Sequence, residues 1–168
     1  MNAAKSKWNA PPTPKEVAEF LERLLDRKVS GGPAPWPTLA GTPPNFVGLY
    51  VNPDGGVESA VAIQPALAAA MGGALSLIPL RAPAVQDALK LDKWDPMLVE
   101  NVAEIANIML RLAQMAGCPS VTLSSFSRGQ PKGVQVAPGI EQGGRAGYRL
   151  EIDGYGGGVM GIARAWTA

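Results

Sequence analysis

The chain contains no histidine, so the side chain most used near neutral pH as a general base, a nucleophile activator or a zinc ligand is missing. Catalytic triads and histidine-based metal sites are excluded with it. The single cysteine, Cys118, cannot close an internal disulfide. Without an imidazole to activate it, it reads as a small buried hydrophobe rather than a nucleophile. Such cysteine usage fits a cytoplasmic protein. Charge is sparse and balanced: charged residues are 17% of the chain and the net charge is +1, which supplies no electrostatic reason to expect nucleic acid or a membrane surface as partner. The most apolar stretch, 66–80, is too short for a membrane span and is interrupted by Gly72 and Gly73. The basic N-terminus is not followed by the apolar core of a secretory signal.

What is present suits one packed core, since 46% of the 168 residues are hydrophobic. Residues 1–13 lack periodicity, carry Pro11 and Pro12, and read as a flexible N-terminal arm, leaving 14–168 as a single domain. Thr13, Pro14 and Glu16 form a capping-box pattern with proline at the first helical position. The helix it opens carries Val17, Phe20, Leu21, Leu24 and Leu25 on one face, and Ser30-Gly31-Gly32 ends the pattern. Five prolines around Trp36, between Gly32 and Pro44, disfavour helix and central strand and predict a stiff connection with an anchored tryptophan. A proline-rich recognition ligand would need a clean PxxP array with flanking charge, which is lacking here.

The runs 46–51 and 57–63 around Asn52-Pro53-Asp54-Gly55-Gly56 predict a hairpin. Pro65 opens a buried, alanine-rich helix over 66–78, whose Gly72 and Gly73 let another backbone approach. A short helix within 81–94 is followed by Asp95-Pro96, an N-cap and first-turn proline for a long helix reaching about Gly117 and stopped by Cys118-Pro119. A strand over 121–126, an irregular stretch containing Val134-Gln135-Val136, and a second hairpin of 146–152 and 158–165 complete the order. Helices and strands neither alternate strictly nor exclude one another. The fold class is therefore α+β, an antiparallel sheet with two long helices packed on one face.

Three motifs carry little chemistry. Gly156-Gly157-Gly158-Val159-Met160-Gly161 matches G-x-G-x-x-G, but no helix can open after it as a dinucleotide site requires, so it reads as turn and strand. Ser124, Ser125 and Ser127, near Arg128 and Lys132, have no recognisable base and decorate a strand edge. Glu100 and Glu104 could be drawn as a glycosidase-like acid pair, but two acids one helical turn apart more commonly mark a solvated face.

The long helix is the informative element. Leu98, Val102, Ile105, Met109 and Leu112 share one side, and Glu100, Glu104, Asn107 and Arg111 form a polar stripe on the other. A solvated surface and a working site both fit that pattern.

At Glu104-Ile105-Ala106-Asn107-Ile108 the sequence resembles the CheC/CheX family of chemotaxis phosphatases, whose signature places an acid or serine at i, Glu at i+4 and Asn at i+7. Here those positions are Glu100, Glu104 and Asn107, and the order of elements agrees over roughly 14–166. The resemblance implies a single-site, CheX-like hydrolase of two-component signalling. It would bind a phosphorylated CheY-like response regulator and remove the phosphoryl group from its aspartate. Asn107 would orient the attacking water and Glu104 would pair with a lysine of the regulator. Glu100 and Arg111 would lie on the partner-binding face. An amide can orient water without adding charge beside an acyl phosphate, and a carboxylate can hold an ammonium. The regulator would bring its own aspartate and Mg²⁺, so no cofactor of this chain is implied. A non-catalytic CheC-like adaptor using the same face is the alternative. The strand-rich C-terminal half, with the habit of CheX-like members, adds the expectation of a homodimer through sheet edges. Glu100 stands where the signature has Asp or Ser, and the earlier alanine-rich helix has no second E-x-x-N.

Overall fold

The computed structural model describes residues 10–117, 120–139, 141 and 143–167. Most of the expected N-terminal arm, together with Cys118 and Pro119, lies outside the described residues. Helix α1, Pro14–Leu25, begins where its capping box puts it. Thr13 Oγ1 accepts the Glu16 N–H at 3.2 Å, and the Glu16 carboxylate accepts the Thr13 N–H at 2.6 Å. Val17, Leu21 and Leu25 are buried, and Asp26, in the left-handed conformation, closes the helix.

The glycine- and proline-rich segment that follows departs from expectation. Instead of a connection alone, Val29–Ala34 forms strand β1, paired antiparallel with β6 (Arg145–Ile152) at one edge of the sheet. An edge strand needs ladder hydrogen bonds on one side only, so Pro33 is tolerated there as it would not be in a central strand.

Strands β2 (Phe46–Val51) and β3 (Val57–Ile63) make the predicted hairpin, its turn organised by Asn52 Oδ1, which accepts the N–H groups of Asp54 and Gly56. Helices α2 (Pro65–Leu75) and α3 (Pro83–Leu91) follow. The long helix is in fact two pieces, α4 (Pro96–Ile108) and α5 (Leu110–Met115), broken at Met109. Strands β4 (Thr122–Arg128), β5 (Val134–Val136) and β7 (Gly156–Thr167) complete the fold. The sheet runs β1-β6-β7-β3-β2-β4 with antiparallel pairings, and β5 pairs with the far end of β7.

Alternation along the strands separates two faces. Tyr50, Val61, Ile63, Tyr148, Leu150, Met160 and Ile162 point into the main core with the apolar sides of α1, α2, α4 and α5. Gly72 of α2 permits the tight approach of α4: a Cβ there would lie 3.1 Å from the Leu98 carbonyl and 3.2 Å from Val102 Cγ2. Val47, Leu49, Ala60, Ala62 and Ala165 point the other way, where Trp36 and Leu39 of the proline-rich segment and Val134 of β5 cover them. Trp36 is thus the anchored tryptophan of an otherwise irregular cover, seated against Gly161 of β7. The G-x-G-x-x-G run is strand, and among the described residues no helix is long and apolar enough to cross a membrane.

Gly161→Ala places a methyl group into the ring of Trp36 and against Pro37. The expected cost is about 1–3 kcal/mol of stability, read as a lower urea midpoint at unchanged slope. An unchanged midpoint would show that Trp36 does not pack on this strand.

Candidate functional site

Helix α4 is held at several points along its length. At its start, Asp95 Oδ1 accepts the Met97 N–H at 2.9 Å, with Pro96 in the first turn. Just before it, Trp94 packs edge-on against Phe46 at 4.6 Å between ring centroids, and its indole N–H donates to Asp92 at 2.8 Å. Arg128 donates to the same carboxylate at 2.9 Å and lies 4.5 Å from the Phe46 ring centroid. Partial burial pushes the Asp92 carboxyl up, but the hydrogen bonds from Trp94 and Arg128 outweigh it and hold the group below its ordinary value. Arg128 is therefore a structural side chain, while Ser124, Ser125 and Ser127 stand exposed on β4.

In mid-helix, Asn101 Nδ2 donates to the Gly72 carbonyl at 2.9 Å and to Ser76 Oγ at 2.7 Å, tying α4 to the C-terminal half of α2. The sequence assigned Asn101 no role. It lies three residues after Leu98 and four before Ile105, beside the packing face, and an amide there is a signal for a helix-to-helix tether. Near the end of α4, the Tyr50 hydroxyl, fully buried under the helix, donates to the Ala106 carbonyl at 2.7 Å. The break follows at once. Met109 N–H still reaches the Ile105 carbonyl, but Leu112 N–H bonds Met109 at the shorter i+3 spacing. A side chain inserted beside the hydrogen-bond ladder is a recognised cause of such a break, and no single-helix pattern in 96–117 could have disclosed a tyrosine from the sheet.

The polar stripe faces outward. Glu100, Glu104, Asn107 and Arg111 are all exposed, whereas Leu98, Val102, Ile105, Met109 and Leu112 are buried. None of the four stripe residues enters an ion pair or side-chain hydrogen bond among the described residues. Glu104 and Asn107, three positions apart in α4, stand about 5–6 Å apart at Cβ. Asn107 occupies the last turn of α4, immediately after the carbonyl that Tyr50 holds. Arg111 falls beyond the break, on α5. Among the described residues no group of three or more His, Cys, Asp or Glu could hold a metal ion. The arrangement offers an amide and a carboxylate, both free to meet a partner, on a helix end fixed from beneath.

No family model and no curated protein matches the chain. Solved structures do. FliM from H. pylori, crystallised in complex with SpeE, is 13% identical with a TM-score of 0.59, covering 90% of this chain and 80% of that one. The FliM middle domain from H. pylori is 13% identical with a TM-score of 0.56, covering 90% and 84%. FliY from Thermotoga maritima is 14% identical with a TM-score of 0.55, covering 90% and 82%. At such identities the likeness is one of fold. The chain has a FliM-like fold, an α+β sheet with its helices gathered on one face.

Burial pushes the phenols of Tyr50 and Tyr148 well above their ordinary value of 10.0, with a smaller upward push on Tyr148 from Glu16. The unfolded chain therefore ionises first, and stability is expected to be intact below about pH 10 and to fall as the pH rises above it. Tyr50→Phe should make that alkaline loss shallower. At neutral pH it should cost about 1–3 kcal/mol, because the buried Ala106 carbonyl loses its phenolic partner. Urea melts of both proteins at pH 7 and at high pH check this; equal stability at pH 7 would remove the role given to this hydrogen bond.

Proposed function

We propose that this chain is a phosphatase for the aspartyl phosphate of a CheY-like response regulator, docking through the polar stripe of α4. The observation that supports it is the shared exposure of Glu104 and Asn107 on one helical face, with neither side chain engaged by another among the described residues. In this reading Glu104 receives a lysine of the regulator, while Glu100 and Arg111 border the contact. The Asn107 amide donates to and accepts from a water, aiming its oxygen in line with the phosphorus. The water–phosphorus bond forms as the bond from phosphorus to the aspartate oxygen breaks, yielding inorganic phosphate and a free carboxylate. The regulator brings the Mg²⁺ that neutralises the phosphoryl oxygens, so the phosphatase adds positioning rather than a nucleophile. The absence of histidine is compatible with this division of labour.

A second reading, a non-catalytic adaptor with the same fold and face, is favoured by the structural neighbours, one of which is a FliM solved as a complex with another protein. Purified chain incubated with phosphorylated CheY-like regulators separates the two. Acceleration of phosphate release that Asn107→Ala lowers on the order of a hundredfold, with binding retained, is the expected result. Binding without acceleration assigns the adaptor role. Acceleration that survives Asn107→Ala displaces the site from α4.

A further inference from the structure

Beyond Asn107 the surface dips into a groove of about 620 Å³ between α1 and α5. Its apolar lining comes from Phe20 and Leu24 of α1, Ile108 at the end of α4, and Met115 of α5, which is 48% exposed. Arg23 and Arg111, one from each wall, and Gln114 of α5 supply its polar lining. Neither guanidinium has a carboxylate within ion-pair distance among the described residues. The groove therefore sets two like charges beside apolar surface.

We propose that this groove docks an acidic amphipathic segment of the protein partner that meets the α4 stripe, an assignment that rests on the docking reading above. Each feature selects one property of the occupant. The apolar lining calls for aliphatic or aromatic anchors, and the two arginines call for carboxylates, which guanidinium groups bind through paired N–H donors. A small anion would leave the apolar lining wet. The chain's own N-terminal residues, with Lys5 and Lys7 and no acid before Glu16, carry the wrong charge. Ile108 and Arg111 continue the chain directly from Asn107, so a partner seated on the stripe reaches the groove without a gap.

The test uses the full chain and a fluorescein-labelled peptide with leucines at helical spacing and glutamates between them, followed by anisotropy. The acidic peptide should bind, its lysine-for-glutamate counterpart should not, and Arg23→Glu with Arg111→Glu should weaken binding by at least about tenfold. Asn107→Ala should leave peptide binding unchanged while lowering turnover as above, so the groove and the phosphatase reading fail separately. Peptide binding in a protein that captures no phosphorylated regulator would end the regulator reading and leave the groove assigned. Equal binding of both peptides, or indifference to the double charge reversal, overturns the proposal. So does displacement of the peptide by inorganic phosphate alone, or a dimer in sedimentation that the double reversal dissolves. Should the charge-reversed chain misfold by circular dichroism, the Arg23→Gln and Arg111→Gln pair makes the same comparison, with the same outcomes decisive.

Discussion

The hydrogen bond from Tyr50 to the Ala106 carbonyl joins the sheet to the helix that carries the polar stripe. A buried bond of this kind adds only modest net stability when made, yet is costly to lose, because the carbonyl left behind has no water to turn to. That asymmetry fixes the depth at which α4 sits over β2. The tether from Asn101 to α2 and the cluster of Trp94, Asp92 and Arg128 act at two other places along the helix. With position and rotation set from the inside, the outward face needs no contacts of its own to be held in place. Glu104 and Asn107 can remain uncommitted without being mobile as a pair.

This separation of holding from acting explains how so plain a composition can present a site. A helix restrained on its apolar side can carry almost any polar residues on the other at little cost in stability. In the proposed function, the carboxylate and amide found there serve a task in which the partner carries the reactive group. The break at Met109 extends the surface. By ending α4 just after Asn107, it starts α5 as a separate piece and sets Ile108, Arg111 and Met115 against α1.

Much of this fold could be read directly where local chemistry decides it. The capping box at Thr13 to Glu16, the Asp95-Pro96 helix start, the turn at Asn52 to Gly56 and the paired runs of both hairpins are interactions among near neighbours, and each stands where its residues predict. What escaped depends on distant partners. Val29–Ala34 is a strand because β6 offers it an edge, not because its glycines and proline favour extension. The α4–α5 break is linked to a tyrosine 56 positions away, and the tether of Asn101 to a carbonyl 29 positions away. The polar stripe was legible as a stripe from periodicity alone; its exposure and lack of internal partners required the packed molecule.

Strand β7 follows every other strand in sequence, yet it lies between β6 and β3 and also carries β5. Without it, β1 with β6 and β3 with β2 and β4 are two unconnected ribbons, each with one face of apolar side chains that only the joined sheet brings under a common set of helices. Closure of the hydrogen-bonded network must therefore wait for the segment from 156 onward. Its pairing with β3 spans about a hundred positions of chain, a separation that places this topology among the slower to assemble. Helix α2, to which Asn101 ties α4, packs directly on β7, so the support beneath the polar stripe is complete only with that strand in place.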